Sequence, residues 1–417
     1  PAAAWALHGD EPVGPADRVG ERIGPWAIEA LLGRGGMGEV WLARRVDGAF
    51  QGAAAIKVLR RGLDSAAVLA RFALEQQALA RLTHPHIARL LDAGRTADGL
   101  PCVVMEHVPG VPISQASEGR SLEERLQLFL QLAEAVAHAH RNLLVHRDLK
   151  PSNVLVMPTP GLPGPGHVKL LDFGIAKALD PLEGTDASLT QAGERPFTPH
   201  FASPEQVRGE AVSTSTDIYS LGVLLYVMLT GTRPYGREAS SAHEAARSVL
   251  EEEPTRPSAL SPGLVADPQW MATRKRLRGD LDNILLKALD KRIERRYPSV
   301  DALAADIRAY LGGHPVSARP ASVAYLASRF VRRHRVGVAL AALALAGVVT
   351  AAGVALWQAQ VADAQRQLAQ QRFQQVHRMA QQLVFQYHDA IENPISDSMP
   401  ADSGRTRPST ASASVTL

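Results

Sequence analysis

The sequence predicts an α+β chain: a small β-rich region, then a larger helical one, then a single helix long enough to cross a membrane. Three observations predict it. Short strand-like runs lie between Trp26 and Glu106, around a glycine-rich turn and one helix. From Ser121 the apolar residues switch to helical spacing, at Leu126, Phe129, Leu130, Ala133 and Val136. Val336 to Trp357 then carries no charged side chain. A chain of 417 residues predicts two or three units rather than one, and 46% hydrophobic with 21% charged residues is the balance of a folded protein.

Residues 1–22, rich in Ala, Gly, Pro and charge, read as a flexible lead; Ala2 to Leu7 is too short and lacks the basic start of a secretory signal. Trp26, Ile28, Leu31 and Leu32 mark a first strand. It runs into Gly33, Arg34, Gly35, Gly36, Met37 and Gly38, and a second strand follows through Val40, Trp41 and Leu42. Glycines at 33, 35 and 38 let the backbone approach a polyanion and offer it N–H groups, although a plain tight hairpin uses the same residues. Strand-like sequence after Val40, where a dinucleotide fingerprint needs a helix, favours a hairpin lid over phosphates. Such a lid predicts a lysine on the next strand. Lys57 sits there, inside the apolar run 54–59. Glu75, on a helix expected over 67–82, is the carboxylate that would orient it; Lys57 in water on an edge strand and Glu75 on a solvated face are the rival readings.

Pro85 ends that helix. Strands are expected at 87–91 and 102–106 with a polar turn at 94–100, and Glu106 to Gly110 leaves the sheet as a linker whose backbone is open to an adenine ring at Glu106 and Val108. Cys102, the single cysteine, reads as a buried thiol in a reducing compartment. Ser121 and Glu124 form a capping box. His138 and His140 read as core or surface histidines. The segment 146–153 (His-Arg-Asp-Leu-Lys-Pro-Ser-Asn) packs a base, two cations and an amide into eight residues. Asp148 suits proton acceptance from a hydroxyl, Lys150 charge balance on a moving phosphoryl group, and Asn153 ligation of Mg²⁺. A Gly/Pro-rich insertion at 158–166 separates strands 154–156 and 168–171. Asp172 follows, either a turn residue or a ligand for a divalent cation.

In this order and spacing, the pieces resemble the protein kinase family over about residues 26–311. The resemblance implies a two-lobed protein kinase fold, with a small β-rich N-lobe and a larger helical C-lobe, that uses ATP and Mg²⁺, with Mn²⁺ as a substitute. Gly33, Arg34, Gly35, Gly36, Met37, Gly38, Val40, Lys57, Glu106 and Val108 would surround the nucleotide. Asp148 would be the catalytic base, Lys150 the γ-phosphate contact, Lys57 with Glu75 the phosphate anchor, and Asn153 and Asp172 the metal ligands. Lys150, and Thr198 just before the segment 199–205, resemble the serine/threonine subclass, which acts on protein hydroxyls. The resemblance further pairs Glu205 with Arg296 and has Asp217 anchor the 146–153 loop. Ala54, where valine is usual, is a departure remote from the chemistry. Arg147 precedes the base, and the loop 175–197 carries Thr185, Ser188 and Thr190, either candidates for autophosphorylation whose phosphate would pair with Arg147 and order the loop, or ordinary loop residues. The alternative reading is a catalytically silent kinase-fold membrane scaffold, against which Lys57, Asp148 and Asp172 are all present.

Residues 23–313 are the expected kinase domain. The segment 314–335 accumulates Arg329, Arg332, Arg333, His334 and Arg335 with no acid among them. The uncharged run 336–357, at ~1.5 Å per residue, reaches about 33 Å and spans a lipid bilayer. Basic residues before it place the kinase domain on the cytoplasmic face of the inner (plasma) membrane and the C-terminus outside, in a single pass. Residues 358–392 read as an amphipathic helix with a stripe at Phe373, Val376, Ala380, Leu383, Tyr387 and Ile391, a surface for a homodimer or another partner. Residues 393–417 form a Ser/Thr/Pro-rich tail expected to be disordered. The net charge of only +3, dispersed until 329–335, gives no nucleic-acid footprint.

Overall fold

The computed structural model describes residues 18–35, 38–59, 76–77, 79–158, 164–173, 199–320 and 322–392. It divides into two units, residues 1–333 and 334–417.

The first unit opens with strands β1 (Arg22–Ile23), β2 (Trp26–Gly35), β3 (Gly38–Arg45), β4 (Ala53–Leu59), β5 (Leu90–Arg95) and β6 (Pro101–Glu106), in one antiparallel sheet ordered β1-β2-β3-β4-β6-β5. Strand periodicity decides what each side chain does. In β4, Ala54, Ile56 and Val58 pack with Ile28, Trp41, Cys102 and Val104 in the small-lobe core. Ala55 and Lys57 therefore take the other face, opposite Met105 and Val103 of β6. Cys102 is fully buried, as expected, and burial pushes its thiol up to about 11.

One boundary differs from expectation: β5 starts at Leu90 rather than near 87. Ile87 is buried and forms a parallel bridge with Leu170 outside the sheet, because the turn after Pro85 holds it against the larger lobe. Gly94 and Arg95 belong to the strand, and the turn closes between Thr96 and Leu100. The helix expected over 67–82 lies largely outside the described residues; Gln76, Gln77, Leu79 and Ala80 are helical.

The larger lobe comprises β7 (Val111–Pro112), α1 (Ile113–Ser117), α2 (Leu122–Arg141), β8 (Val154–Met157), β9 (His167–Leu170), α3 (Pro204–Arg208), α4 (Thr214–Thr230), α5 (Ala242–Glu251), α6 (Trp270–Leu277), α7 (Asp280–Ala288), α8 (Val300–Leu311) and α9 (Val323–Arg333). Strands β7, β8 and β9 form a second small antiparallel sheet. Helix α2 starts with the expected capping box: the Ser121 hydroxyl accepts the Glu124 N–H and the Glu124 carboxylate accepts the Ser121 N–H. Its apolar stripe is fully buried at Leu126, Phe129, Ala133 and Val136. Helix α4 is apolar on nearly all sides and runs through the core.

The segment after α8 is not a loose connector. Asp306 accepts the Ser317 N–H (2.7 Å), the Ala318 N–H (2.9 Å), the Ser317 hydroxyl and the Tyr297 hydroxyl. Asp280 accepts the Tyr325 hydroxyl (3.0 Å) and pairs with Arg319 and Arg329. Both aspartates are buried, so Ser317, Ala318, Arg319, Tyr325 and Arg329 are pinned to the larger lobe.

In the second unit, α10 (Arg335–Glu392) runs without a break through position 357, where only the side-chain chemistry changes. Among the described residues it is the one helix long and apolar enough to cross a membrane, with mean hydropathy 2.3 in its most apolar stretch.

Candidate active site

The site is hung from one buried carboxylate. Asp217, in the first turn of α4, accepts the main-chain N–H groups of His146 (2.8 Å) and Arg147 (2.9 Å) and bonds His140 Nε2 (2.7 Å). These bonds hold Arg147 at φ +66°, a conformation that a non-glycine residue adopts only when its surroundings impose it. The Gln206 amide at the start of α3 donates to the Arg147 carbonyl (2.8 Å). Asp217 thus has the anchoring position the resemblance implied. His140, read from sequence as a core or surface residue, belongs to the same network.

His146 is fully buried between the loop and the strand beyond it. Burial lowers its pKa, against the opposing pull of Asp217 and the Leu171 carbonyl. The neutral ring donates from Nε2 to the Leu171 carbonyl (2.8 Å) and accepts the Asp148 N–H at Nδ1 (3.3 Å). It also lies 4.8 Å from the Phe173 ring. One imidazole therefore ties the 146–153 loop to the segment carrying Asp172.

Around Asp148 the expected residues converge. Lys150 Nζ lies 3.0 Å from its Oδ2, and Asn153 Nδ2 donates both to that oxygen (3.0 Å) and to the Asp148 carbonyl (2.8 Å). The Asn153 amide nitrogen is thereby committed, which leaves its oxygen as the acceptor. Asp172 follows two residues after β9, and like Asp148 it acts electrostatically on the buried His146 ring. Its backbone is left-handed (φ +42°), Oδ2 sits 2.9 Å from Lys57 Nζ, and Oδ1 is buried with no hydrogen-bond partner among the described residues. Lys57 of the small lobe meets Asp172; Glu75, the expected partner of Lys57, lies outside the described residues.

The glycine-rich segment is the predicted hairpin, with Gly33 opposite Val40, Arg34 opposite Glu39 and Gly35 opposite Gly38. Arg34 and Glu39 form a cross-strand ion pair at 3.1 Å. Gly38 has a local reason to be glycine: at φ +151°, an added Cβ would overlap the Val58 carbonyl of β4. Gly36 and Met37 lie outside the described residues, as do Thr185, Ser188, Thr190 and Thr198.

The Glu106 N–H donates to the Arg89 carbonyl (2.8 Å), and the Val108 carbonyl accepts the Gly110 N–H (3.0 Å) and keeps a second lone pair. The Val108 N–H has no hydrogen-bond partner among the described residues. The Glu106 carboxylate is held by Lys169 of β9. Val108 packs with Leu155 and Leu171, apolar neighbours that the sequence reading did not assign to the site; their strand alternation was the available signal.

At the far side, Glu205 and Arg296 form a fully buried bidentate pair at 2.7 and 2.8 Å, as the resemblance implied. Burial would raise the Glu205 pKa, but Arg296 and the Thr216 hydroxyl hold it below the usual glutamate value.

A two-lobed fold with a glycine hairpin, a strand lysine and an aspartate at the lobe junction defines a class, and the comparisons name it. Residues 26–305 match the profile described as the protein kinase domain, and the chain belongs to the protein kinase family. Its relatives include the serine/threonine-protein kinase pkn3 of Myxococcus xanthus, 36% identical over 300 residues, 70% of this chain and 51% of that one. PknB of Mycobacterium tuberculosis is 36% identical over 301 residues, 70% of this chain and 44% of that one. The chain thus spans about half the length of these bacterial relatives. Among solved structures, the Mycobacterium tuberculosis PknI kinase domain superposes with a TM-score of 0.51 at 26% identity, covering 70% of this chain and 98% of that one. The kinase domain is of the bacterial serine/threonine type, a family that uses ATP and a divalent metal.

Proposed function

We propose that this chain is a membrane-anchored serine/threonine protein kinase. It transfers the γ-phosphoryl group of ATP to serine and threonine hydroxyls of proteins, its own included, in bacterial signal transduction. The observation that carries the reading is the pairing of Lys57 with an Asp172 whose second oxygen is buried with no hydrogen-bond partner among the described residues. Opposite charges so placed can separate around a nucleotide, with the ammonium gripping phosphate oxygens and the carboxylate facing the accompanying cation. The donor set fits Mg²⁺. Among the described residues no three His, Cys, Asp or Glu side chains form a self-contained metal cage, and one carboxylate with one amide oxygen suits an ion that keeps waters and phosphate oxygens in its shell. Asp172 and Asn153 would hold that ion, which would neutralise charge on the phosphates when bound.

The remaining chemistry belongs to the chain. Asp148 accepts the proton of the attacking hydroxyl. Lys150, 3.0 Å from it, balances charge on the transferred group. Asn153 fixes the carboxylate through two hydrogen bonds. The Val108 N–H receives adenine, and the hairpin over 33–40 covers the phosphates. Most of the rate derives from positioning and electrostatics. Thr198 lies beside Asp148 and Lys150 in this reading, and phosphate on Thr185, Ser188 or Thr190 orders its loop through Arg147. Residues 336–357 cross the lipid bilayer with residues 23–313 in the cytoplasm, and 358–392 pair with a second copy. Support comes from the exposed, uncharged stretch of α10 and from the exposed Phe373, Val376 and Leu383.

The test is transfer of label from γ-labelled ATP with Mg²⁺ to a generic protein substrate by the detergent-solubilised chain, beside Asp148→Asn. Label on serine or threonine from the parent alone supports the proposal. No label from the parent, or equal label from both, overturns it.

A further inference from the structure

Lys169 belongs to no motif and stands three residues before Asp172, yet it is buried, with 8% of its surface exposed. A lysine in that position is costly unless its charge is met. It is met by Glu106: Lys169 Nζ lies 2.9 Å from both carboxylate oxygens. The same carboxylate accepts the N–H of Arg89, the residue before β5 (3.2 Å). Glu106 is the last residue of β6, two residues before the Val108 N–H. The strand holding Lys169 is itself fixed on both sides: the Leu170 N–H donates to the His86 carbonyl and the Leu171 N–H to the Asn153 carbonyl, each at 2.8 Å.

We propose that Lys169 is a positioning residue for nucleotide binding. Its ion pair with Glu106 sets the distance between the linker that receives the base and the aspartate that faces the phosphates. The two ends of a nucleoside triphosphate are thereby read from two lobes by elements tied directly to each other. Lys169 and Glu106 bond none of Asp148, Lys150 and Asn153, and the loop carrying those three is anchored at His146 and Arg147 by Asp217. The cost therefore falls on nucleotide affinity rather than on turnover. The inference rests on the ATP-dependent reading above.

The experiment uses the full chain in detergent and compares the parent with Lys169→Met, Lys169→Arg and Glu106→Gln. Two readouts are taken: the calorimetric affinity for ADP with Mg²⁺, and kcat and KM for ATP. Lys169→Met should weaken nucleotide affinity and raise KM about five- to tenfold, with kcat within about twofold. Lys169→Arg should recover most of that loss, and Lys169→Met combined with Glu106→Gln should be no worse than the single changes. Unchanged affinity in Lys169→Met, no recovery with arginine, or a fall in kcat with KM constant overturns the inference. Normal ADP binding by a parent that transfers no phosphoryl group counts against the proposed activity alone, and the affinity comparison still decides the role of Lys169.

Discussion

Both nitrogens of the His146 ring are committed, one as donor and one as acceptor, so only the neutral tautomer satisfies the site. Burial lowers the pKa of His146, and also of His84 and His86, whose rings lie 5.5 Å apart beside the lobe junction. In each case the unfolded chain binds protons that the folded chain refuses. Stability from these groups is full above the ordinary histidine value of 6.5 and is lost as pH falls below it. We expect the thermal midpoint to drop by about 3–8 °C between pH 7.5 and pH 5.5; a flat profile would contradict the neutral assignment. Asp148→Asn keeps the shape of the loop but removes the proton acceptor, and should lower kcat by about 10²- to 10⁴-fold with little change in midpoint. Steady-state kinetics alongside a melting curve separates this from simple unfolding. These residues were legible in sequence because the eight-residue loop is contiguous. The role of His140 was not, since its partner Asp217 is 77 positions away.

Elements carry the next level. The hairpin of β2 and β3 requires glycine at 38 for contact with β4, so Gly38→Ala should shift the hairpin and cost about 2 kcal/mol or more, read as a lower midpoint. The Glu205–Arg296 pair joins the start of α3 to the segment before α8, with both side chains out of water. Arg296→Met leaves a buried carboxylate with only the Thr216 hydroxyl from its former bonding set, and should cost about 3–5 kcal/mol. An Arg296 variant that melts with the parent would remove that pair from the account of stability. Strand and helix types were readable from periodicity, whereas the start of β5 was not. Ile87 is as apolar as a sheet residue, and only its bridge to Leu170 takes it out of the sheet.

At the scale of the molecule, the folded unit extends past the part that matches the family. Residues 316–329 supply the Tyr325 hydroxyl and two arginines to Asp280, and two backbone N–H groups and a hydroxyl to Asp306. Ending the chain at residue 313 would remove the Tyr325, Arg319 and Arg329 partners of Asp280 and leave Asp306 with the Tyr297 hydroxyl from its bonding set. We expect that truncation to melt several degrees below one ending at 333, by differential scanning fluorimetry; equal midpoints would show that the docked segment contributes nothing.

What the sequence determined by itself was local: strand and helix periods, the capping box at Ser121, the turn glycines, and the chemical character of each motif. It also marked residues 336–357 as chemically distinct, because charge is absent from them whatever the fold. Tertiary structure alone decided which charges meet. Lys57 faces Asp172, Lys169 reaches Glu106, and Asp280 and Asp306 hold a segment that composition had marked only as basic. The reason is physical: an ion pair depends on the separation of two groups in space, and periodicity fixes which face a side chain takes but not what lies opposite it.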